Sequence, residues 1–304
     1  MYALILNPKA GNGKSKSVYQ KMIKQNHINE HLYKMYVTKY QGHATEIVQQ
    51  IKEENEQVEK IIVIGGDGTL YEVINGIKKS NLVIQLAFIP AGSGNDFARG
   101  CQIHLNPYKQ IKQLFTNPKT IQYWFGQYEV NEDQYLFASS IGFGFDAEVA
   151  KVVNESRLKK WFNALHLAPL IYVYGLLMTI FKYKPKTLSL NVDGECIKID
   201  HTWLITVSNH PYFGGGMKIA LDAEVNPNNF TITTVNNISR WKLLFLFITV
   251  FFGKHTKLKE VHTFEAKEIK LSSEVPIMYQ ADGYTNETQQ CVINKEQESI
   301  TIIK

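Results

Sequence analysis

A chain of 304 residues, 44% hydrophobic and 20% charged, has enough apolar side chains for two cores and falls outside the compositions of disordered or fibrous proteins. Its formal net charge of +5 is modest for that length, so no nucleic-acid partner is expected, and a basic surface would suit nucleotide or anionic lipid equally well. Cys101, Cys196 and Cys291 follow no disulfide or metal spacing, and the opening YALIL (2–6) is too short for a secretory leader, so a cytoplasmic protein is expected.

In chain order, apolar runs near 2–6, 32–37, 60–64 and 85–89 alternate with helical patterns near 15–26, 43–57, 69–79 and 95–101. That alternation predicts a doubly wound α/β sheet over residues 1–120. The first strand enters LILNPKAGNGKS (4–15). Lys14-Ser15 has the look of a P-loop ending, but Pro8 stands where its first glycine belongs, a near miss. Asn7 and Gly11 fit a loop facing phosphate or adenine, and Lys14 is equally a phosphate-reaching point charge or a solvated helix lysine. HINEH (27–31) has the His-x-x-Glu-His spacing of a zinc peptidase helix. It falls between a helix and a strand, where no long helix presents both histidines, so it is read as chance.

Residues 61–77, IIVIGGDGTLYEVINGI, carry the first strong signal. Ile61 to Ile64 form a β-branched block suited to a strand buried on both faces, and Leu70, Val73, Ile74 and Ile77 follow at helical spacing. Between them Gly65, Gly66 and Gly68 let the backbone turn and let a ligand approach main-chain N–H groups. The helix N-terminus behind them favours phosphate. Alone, this is as readily an ordinary junction with Asp67 or Thr69 as helix cap. The next strand repeats the pattern, QLAFI (85–89) running into PAGSGNDFAR (90–99). Ligand crevices of open α/β sheets lie beyond the carboxyl ends of the strands, so both loops are expected to face one crevice, with Asp67 and Asp96 pointing into it. Carboxylates beside phosphate need a cation between them, which implies Mg²⁺ and phosphoryl transfer.

After NPKT (117–120), short alternating runs such as IQYWFGQYEV, TLSLNVDG, ECIKID, TWLITVSN and NFTITTV predict a β-rich antiparallel domain over 121–304, a sandwich, whose last strand can return to the first domain. Helical insertions near 146–181 and 239–253 interrupt it. WFNALHLAPLIYVYGLLMTIF (161–181) is long enough to span a membrane, but Asn163, His166, Pro169 and Gly175 argue against that, and the apolar part of 240–259 is too short. Both have basic flanks (Arg157, Lys159 and Lys160; Lys182, Lys184 and Lys186; residues 254–259). They read as buried helices with solvated lysines or as surfaces that dock on an anionic bilayer.

GGDGT (65–69) and PAGSGNDFAR (90–99) resemble the diacylglycerol kinase catalytic domain, in its soluble bacterial lipid kinase branch. LILNPKAGNGKS (4–15), TKYQGHATEI (38–47), SIGFGFDAEV (140–149) and FGGGMKIALDA (213–223) match further family positions in the family's order. The resemblance implies Mg²⁺-dependent transfer of phosphate from ATP to a lipid hydroxyl, in a cleft between the domains. ATP would lie over Asn7, Thr38, Gly65, Gly66, Asp67, Gly68, Thr69, Ser93, Gly94 and Asn95, with Asp67 as metal ligand. The expected partners are a lipid substrate and an anionic membrane surface, bound peripherally, with a homodimer possible. Two departures stand out. The family's late Asp-Gly-Glu supplies a catalytic glutamate, but here Asp282-Gly283 is followed by Tyr284, and a phenol is a poor base at neutral pH. The candidate acids are therefore Asp67, Asp96 and Asp282. Asp193-Gly194-Glu195 is intact but reads as a tight hairpin turn. The family's structural Mg²⁺ loop is replaced by Asn226-Pro227-Asn228, so no second metal is expected. The rival readings are a soluble nucleotide kinase of the NAD kinase type, which shares the Gly-Gly-Asp-Gly-Thr loop, and a non-catalytic lipid- or nucleotide-binding regulator, motivated by Tyr284.

Overall fold

The apolar runs at the start of the chain become β1 (Tyr2–Leu6), β2 (Tyr33–Val37), β3 (Lys60–Gly65) and β4 (Gln85–Pro90), parallel neighbours in the order β2-β1-β3-β4. The computed structural model describes residues 1–24, 32–54, 57–156 and 168–304. The segment 27–31, the flank 157–160 and residues 161–167 of the first insertion lie outside the described residues. Leu4, Ile5, Ile62, Val63, Ile64, Phe88 and Ile89 are at most 1% exposed. Helices cover both faces of a parallel sheet, and this is why these strands read as continuous apolar runs. On one face, α1 (Lys14–Lys24) contributes Val18 and Met22, and α5 (Pro107–Thr116) contributes Ile111 and Leu114, to a core with Leu4, Ile62, Ile64 and Ile89. α2 (His43–Glu53) and α3 (Asp67–Ser80) pack together, and α3 meets α2 through Gly76, where an added Cβ would lie 2.7 Å from Val48 Cβ.

The expected doubly wound sheet is present, with differences at its margins. α2 stops at Glu53 rather than reaching 57. α5 is an additional helix whose signals the sequence carries: Asn106 accepts the N–H groups of Tyr108 and Lys109 at 3.0 and 3.3 Å, and Pro107 opens the first turn. The run at 121–130 is two strands. β5 (Thr120–Tyr123) belongs to the first sheet and β6 (Gly126–Val130) to the second. The last strand, β17 (Ile300–Ile303), lies between β4 and β5, parallel to the former (Ile302↔Leu86) and antiparallel to the latter (Ile302↔Ile121). Two units result, Met1–Trp124 with Glu298–Lys304, and Phe125–Gln297.

The second unit is antiparallel and β-rich, as expected. It comprises β6, β7 (Asp133–Phe137), β8 (Ser140–Gly144), β9 (Lys186–Val192), β10 (Glu195–Ser208), β13 (Phe230–Asn236), β14 (Val261–Ala266), β15 (Ile269–Ala281) and β16 (Tyr284–Lys295), with β11 (Tyr212–Phe213) and β12 (Met217–Lys218) as a separate hairpin. ECIKID and TWLITVSN read as separate runs but form the single strand β10. Its register shifts between Ile199 and Thr202, and β15 shifts between Ser272 and Ile277. Such irregularities bend a strand. The early halves of β10 and β15 flank β9, and their late halves flank β8, so β8 and β9 share one sheet through bent strands. Asp193-Gly194 is the expected hairpin turn, with φ of 50° and 97°, and the Asp193 carboxylate accepts the N–H groups of Lys267 and Glu268. The insertions supply α6 (Phe145–Glu155), α7 (Ala168–Ile180) and α8 (Arg240–Phe251), which pack on Trp203, Leu204 and Val235. Among the described residues no helix is long and apolar enough to cross a membrane.

Candidate active site

In the first unit, β3 and β4 end side by side, Gly65 opposite Pro90, so the two glycine-rich loops emerge together. Ala91 N–H donates to the Gly65 carbonyl at 2.7 Å. A Cβ on Gly92 would stand 2.5 Å from Gly66 Cα, and one on Gly66 would stand 3.1 Å from Gly92 Cα. The loops touch through their backbones, which only glycine permits. At Gly68 nothing lies within 4 Å of an added Cβ, so the start of α3 is open for a ligand to approach the main chain.

Asp67 is the first residue of α3, but it does not cap that helix. The N-cap is Gly66, without a side-chain hydrogen bond. Instead the Asp67 carboxylate crosses to α4 (Asp96–Gly100), where Oδ1 accepts Phe97 N–H at 3.2 Å. Thr69 is not a cap either, because its Oγ1 accepts Asn7 Nδ2–H at 2.9 Å. Asn7 therefore ties the end of β1 to the first loop. Asn95, at φ 56°, staples the second loop to itself, accepting Gly92 N–H and donating to the Gly92 carbonyl, both at 3.0 Å. Asp96 is buried at 7% exposure, with Arg99 3.9 Å away. Arg99 also donates to the carbonyls of Gly94 and Asn95. Ser93 is exposed, and Thr38, just past β2, is buried and donates its N–H to the Leu6 carbonyl at 2.9 Å. Ser15, part of the P-loop look-alike, is fully buried and bonds the carbonyls of Asn7 and Ala10. It holds the loop closed, whereas Lys14 is exposed.

Burial pushes the Asp67 carboxyl above its ordinary range, opposed by the N–H groups of Phe97, Asp96 and Asn95 and by the Arg99 charge. Mg²⁺ takes one or two carboxylates and fills its shell with phosphate oxygens and water. A carboxylate at the open start of α3 fits one such ligand position. Asp67 is the residue that would hold it.

Asp282 belongs to the second unit and is already occupied. Its Oδ2 accepts Ala138 N–H at 2.5 Å, and its Oδ1 accepts Ser139 and Ser140 N–H at 2.8 and 3.3 Å. With φ of 49°, it anchors the β15–β16 turn to the start of β8. That geometry gives it a structural task and disfavours it as a base. Tyr284, at 38% exposure, opens β16 beside it. Asn226 accepts the N–H groups of Asn228 and Asn229, both at 2.8 Å, which closes the loop that replaces the family's metal segment.

Sequence reasoning passed over Asp146. It lies in GFGFDAEV, in the first turn of α6, at 7% exposure, with both carboxyl oxygens buried away from solvent. A side chain at Gly142 would collide with it. Burial pushes its pKa up to about 7, against the smaller opposing influence of the Ala147 N–H and the Gln280 side chain. It borders a narrow pocket of about 10 Å³ with Thr206, Phe213, Met217, Ile219 and Phe247. An acid in a small hollow of apolar side chains is a functional signal; the glycine four residues upstream was its sequence trace. A larger hollow of about 320 Å³ between Leu190, Ile197, Leu271 and Cys291 contains none of the candidate residues.

The family described as "Diacylglycerol kinase catalytic domain" matches residues 1–124, and that described as "YegS C-terminal NAD kinase beta sandwich-like domain" matches residues 139–303. The chain is 36% identical to YtlR of Bacillus subtilis (strain 168), named as a candidate lipid kinase, over 92% of this chain and 91% of that one. It is 31% identical to a diacylglycerol kinase of Mycobacterium tuberculosis (strain ATCC 25618 / H37Rv) over 65% of this chain and 62% of that one. A crystal structure of a candidate diacylglycerol kinase from Bacillus anthracis (strain Sterne) has the same fold, with a TM-score of 0.74 at 24% identity, covering 99% of this chain and 96% of that one.

Proposed function

Because this chain belongs to the diacylglycerol kinase catalytic-domain family, we propose that it is an ATP- and Mg²⁺-dependent lipid kinase that phosphorylates a hydroxyl of diacylglycerol or a related lipid. The observation that carries the reading is the backbone contact of Gly66 with Gly92 beside Asp67. It forms a rigid, side-chain-free cradle with an open helix start, suited to polyphosphate.

In this mechanism the N–H groups at the start of α3 and the loop after β4 bind and orient the phosphates, and Asp67 would hold the metal. When bound, Mg²⁺ supplies neutralisation of charge on the transferring phosphoryl group. Asn7 holds Thr69, and Asn95 and Arg99 hold the second loop, so the cradle is set before substrate arrives. Asp146 receives the polar end of the lipid while the apolar lining accepts its chains. At about 10 Å³ the pocket admits no acyl chain until Phe213, Met217 or Phe247 moves. Because the transition state is loose, little base assistance is needed. The hydroxyl proton then leaves to solvent or to a nearby carboxylate, without a glutamate at 284.

The apolar surroundings of Asp146 favour a lipid over NAD as acceptor. Tyr284 is the specific observation that favours a second reading, a non-catalytic binding protein. Incubating the purified chain with labelled ATP, Mg²⁺ and either mixed lipids or NAD separates them. Label in a lipid supports the kinase and label in NAD the soluble alternative. ATP binding with no transfer supports the regulator.

A further inference from the structure

The second unit carries an apolar surface that the site above does not use. α8 is largely apolar, its charged side chains being Arg240 and Lys242 in its first turn. Leu243, Leu246 and Val250, 0–1% exposed, bury one side in the core beneath α6 and α7. On the opposite side, Trp241, Phe245, Ile248 and Phe252 are 73%, 57%, 61% and 73% exposed. α7 and the residue after it continue the ridge: Val173, Leu177 and Phe181, spaced by four, are 47%, 49% and 57% exposed. The two helices meet where the Phe181 and Trp241 rings lie 6.0 Å apart edge to face and Arg240 Nε donates to the Ile180 carbonyl at 3.1 Å. Single exposed apolar residues need no explanation, but a contiguous ridge of aromatic and aliphatic side chains marks an interaction surface.

Charge identifies the partner. No Asp or Glu occurs in residues 168–186 or 239–259. Exposed Lys182 and Lys184 follow α7, and exposed Lys254 and Lys257 follow α8. The 12 residues of α8 span about 18 Å, and the Phe181–Trp241 contact puts Lys182 near its start while Lys254 and Lys257 follow its end, so cations stand at both ends of α8. A second copy docking the same face about a two-fold axis would bring lysines against lysines, because the adjoining acid, Glu260, is buried and already paired with Lys242 of the same chain at 2.7 Å. An anionic bilayer satisfies both features, taking the rings into the acyl boundary and the lysines at the headgroups.

We propose that the α7–α8 ridge is the face on which this protein lies on an anionic lipid bilayer, with α8 in the interfacial plane and Trp241, Phe245, Ile248 and Phe252 inserted. The proposal rests on the lipid-kinase reading for its purpose, since the acceptor must be drawn from a membrane, but its test does not require turnover.

The full chain, without nucleotide, is sedimented with phosphatidylcholine vesicles that contain or lack phosphatidylglycerol. Binding is expected with phosphatidylglycerol, weakening as salt rises, with each cation near the surface contributing about fivefold. The Phe245→Ser/Phe252→Ser double variant is expected to bind at least about tenfold more weakly. Brominated acyl chains are expected to quench the wild-type tryptophan emission, with that quenching largely lost in Trp241→Phe. No vesicle binding, equal binding by the double variant, or binding without quenching from Trp241 each overturns the proposal. A wild-type dimer that the double variant converts to a monomer assigns the ridge to a second copy instead. Should the double variant misfold, the quenching arm decides alone. Failure of the kinase reading is seen separately, as absent turnover on a short-chain diacylglycerol dispersed in detergent.

Discussion

Replacing Asp146 by Asn tests whether burial in the second unit holds this acid largely protonated. Its pKa is pushed up to about 7 by burial, whereas an unfolded aspartate titrates near 4. Between those values the unfolded chain gives up a proton that the folded chain keeps, so the wild type loses stability as pH rises from about 4 to about 7. At about 1.4 kcal/mol per pH unit the full loss is roughly 4 kcal/mol, an upper bound because water entering the pocket would lower it. Asn keeps the shape and removes the titration. Urea unfolding of both proteins, followed by tryptophan fluorescence from pH 4 to pH 8, is expected to show the variant gaining on the wild type across that window and holding the gain above it. Other titrating groups cancel in the difference. A difference independent of pH would falsify the assignment, whatever its size. If lipid meets Asp146, the same variant is expected to weaken lipid turnover while leaving nucleotide binding intact.

The remaining predictions concern the cradle and the departure at 284. Asp67→Asn is expected to lower phosphoryl transfer by several orders of magnitude with the fold retained, as for loss of a central electrostatic group; near wild-type turnover in a labelled-ATP assay contradicts the role. Gly92→Ala forces a Cβ to 2.5 Å from Gly66 Cα and is expected to cost about 1–3 kcal/mol in thermal unfolding. Gly68→Ala, with nothing within 4 Å, is expected to leave stability nearly unchanged yet weaken nucleotide binding, and unaltered affinity would remove Gly68 from the ligand face. Tyr284→Glu restores the family's acid beside the β15–β16 turn and is expected to raise turnover. If an inactive wild type stays inactive after this change, with ATP still bound, the regulator reading becomes the better one.

Local signals were sufficient wherever an element and its chemistry lie within one stretch of chain. The β-branched block at Ile61–Ile64, the glycines that follow and the helical spacing from Leu70 define a strand, loop and helix, because period and backbone freedom are local properties. The repeat at 85–99 made the pairing of the two loops legible, since consecutive parallel strands end on the same edge. The Asp193-Gly194 hairpin was legible for the same reason, its positive φ angles being written in the residue types. The α5 cap, Asn106 followed by Pro107, is equally local.

Other features depend on partners far away in sequence, which no local period encodes. Asp67 is a plausible cap for its own helix until the fold brings Phe97 N–H to its carboxylate. Asp282 reads as a free acid until three backbone N–H groups from Ala138 to Ser140 close on it. Asp146 is an ordinary first-turn acid of an amphipathic helix in sequence, and burial beneath Phe213 and Phe247 raises its pKa only because tertiary packing removes water. The apolar helix at 240–251 could have been core on all sides. Packing buried Leu243, Leu246 and Val250 and left Trp241, Phe245 and Ile248 outside. Composition determines how much apolar surface a chain carries, and only the arrangement of its neighbours decides which part of it is covered.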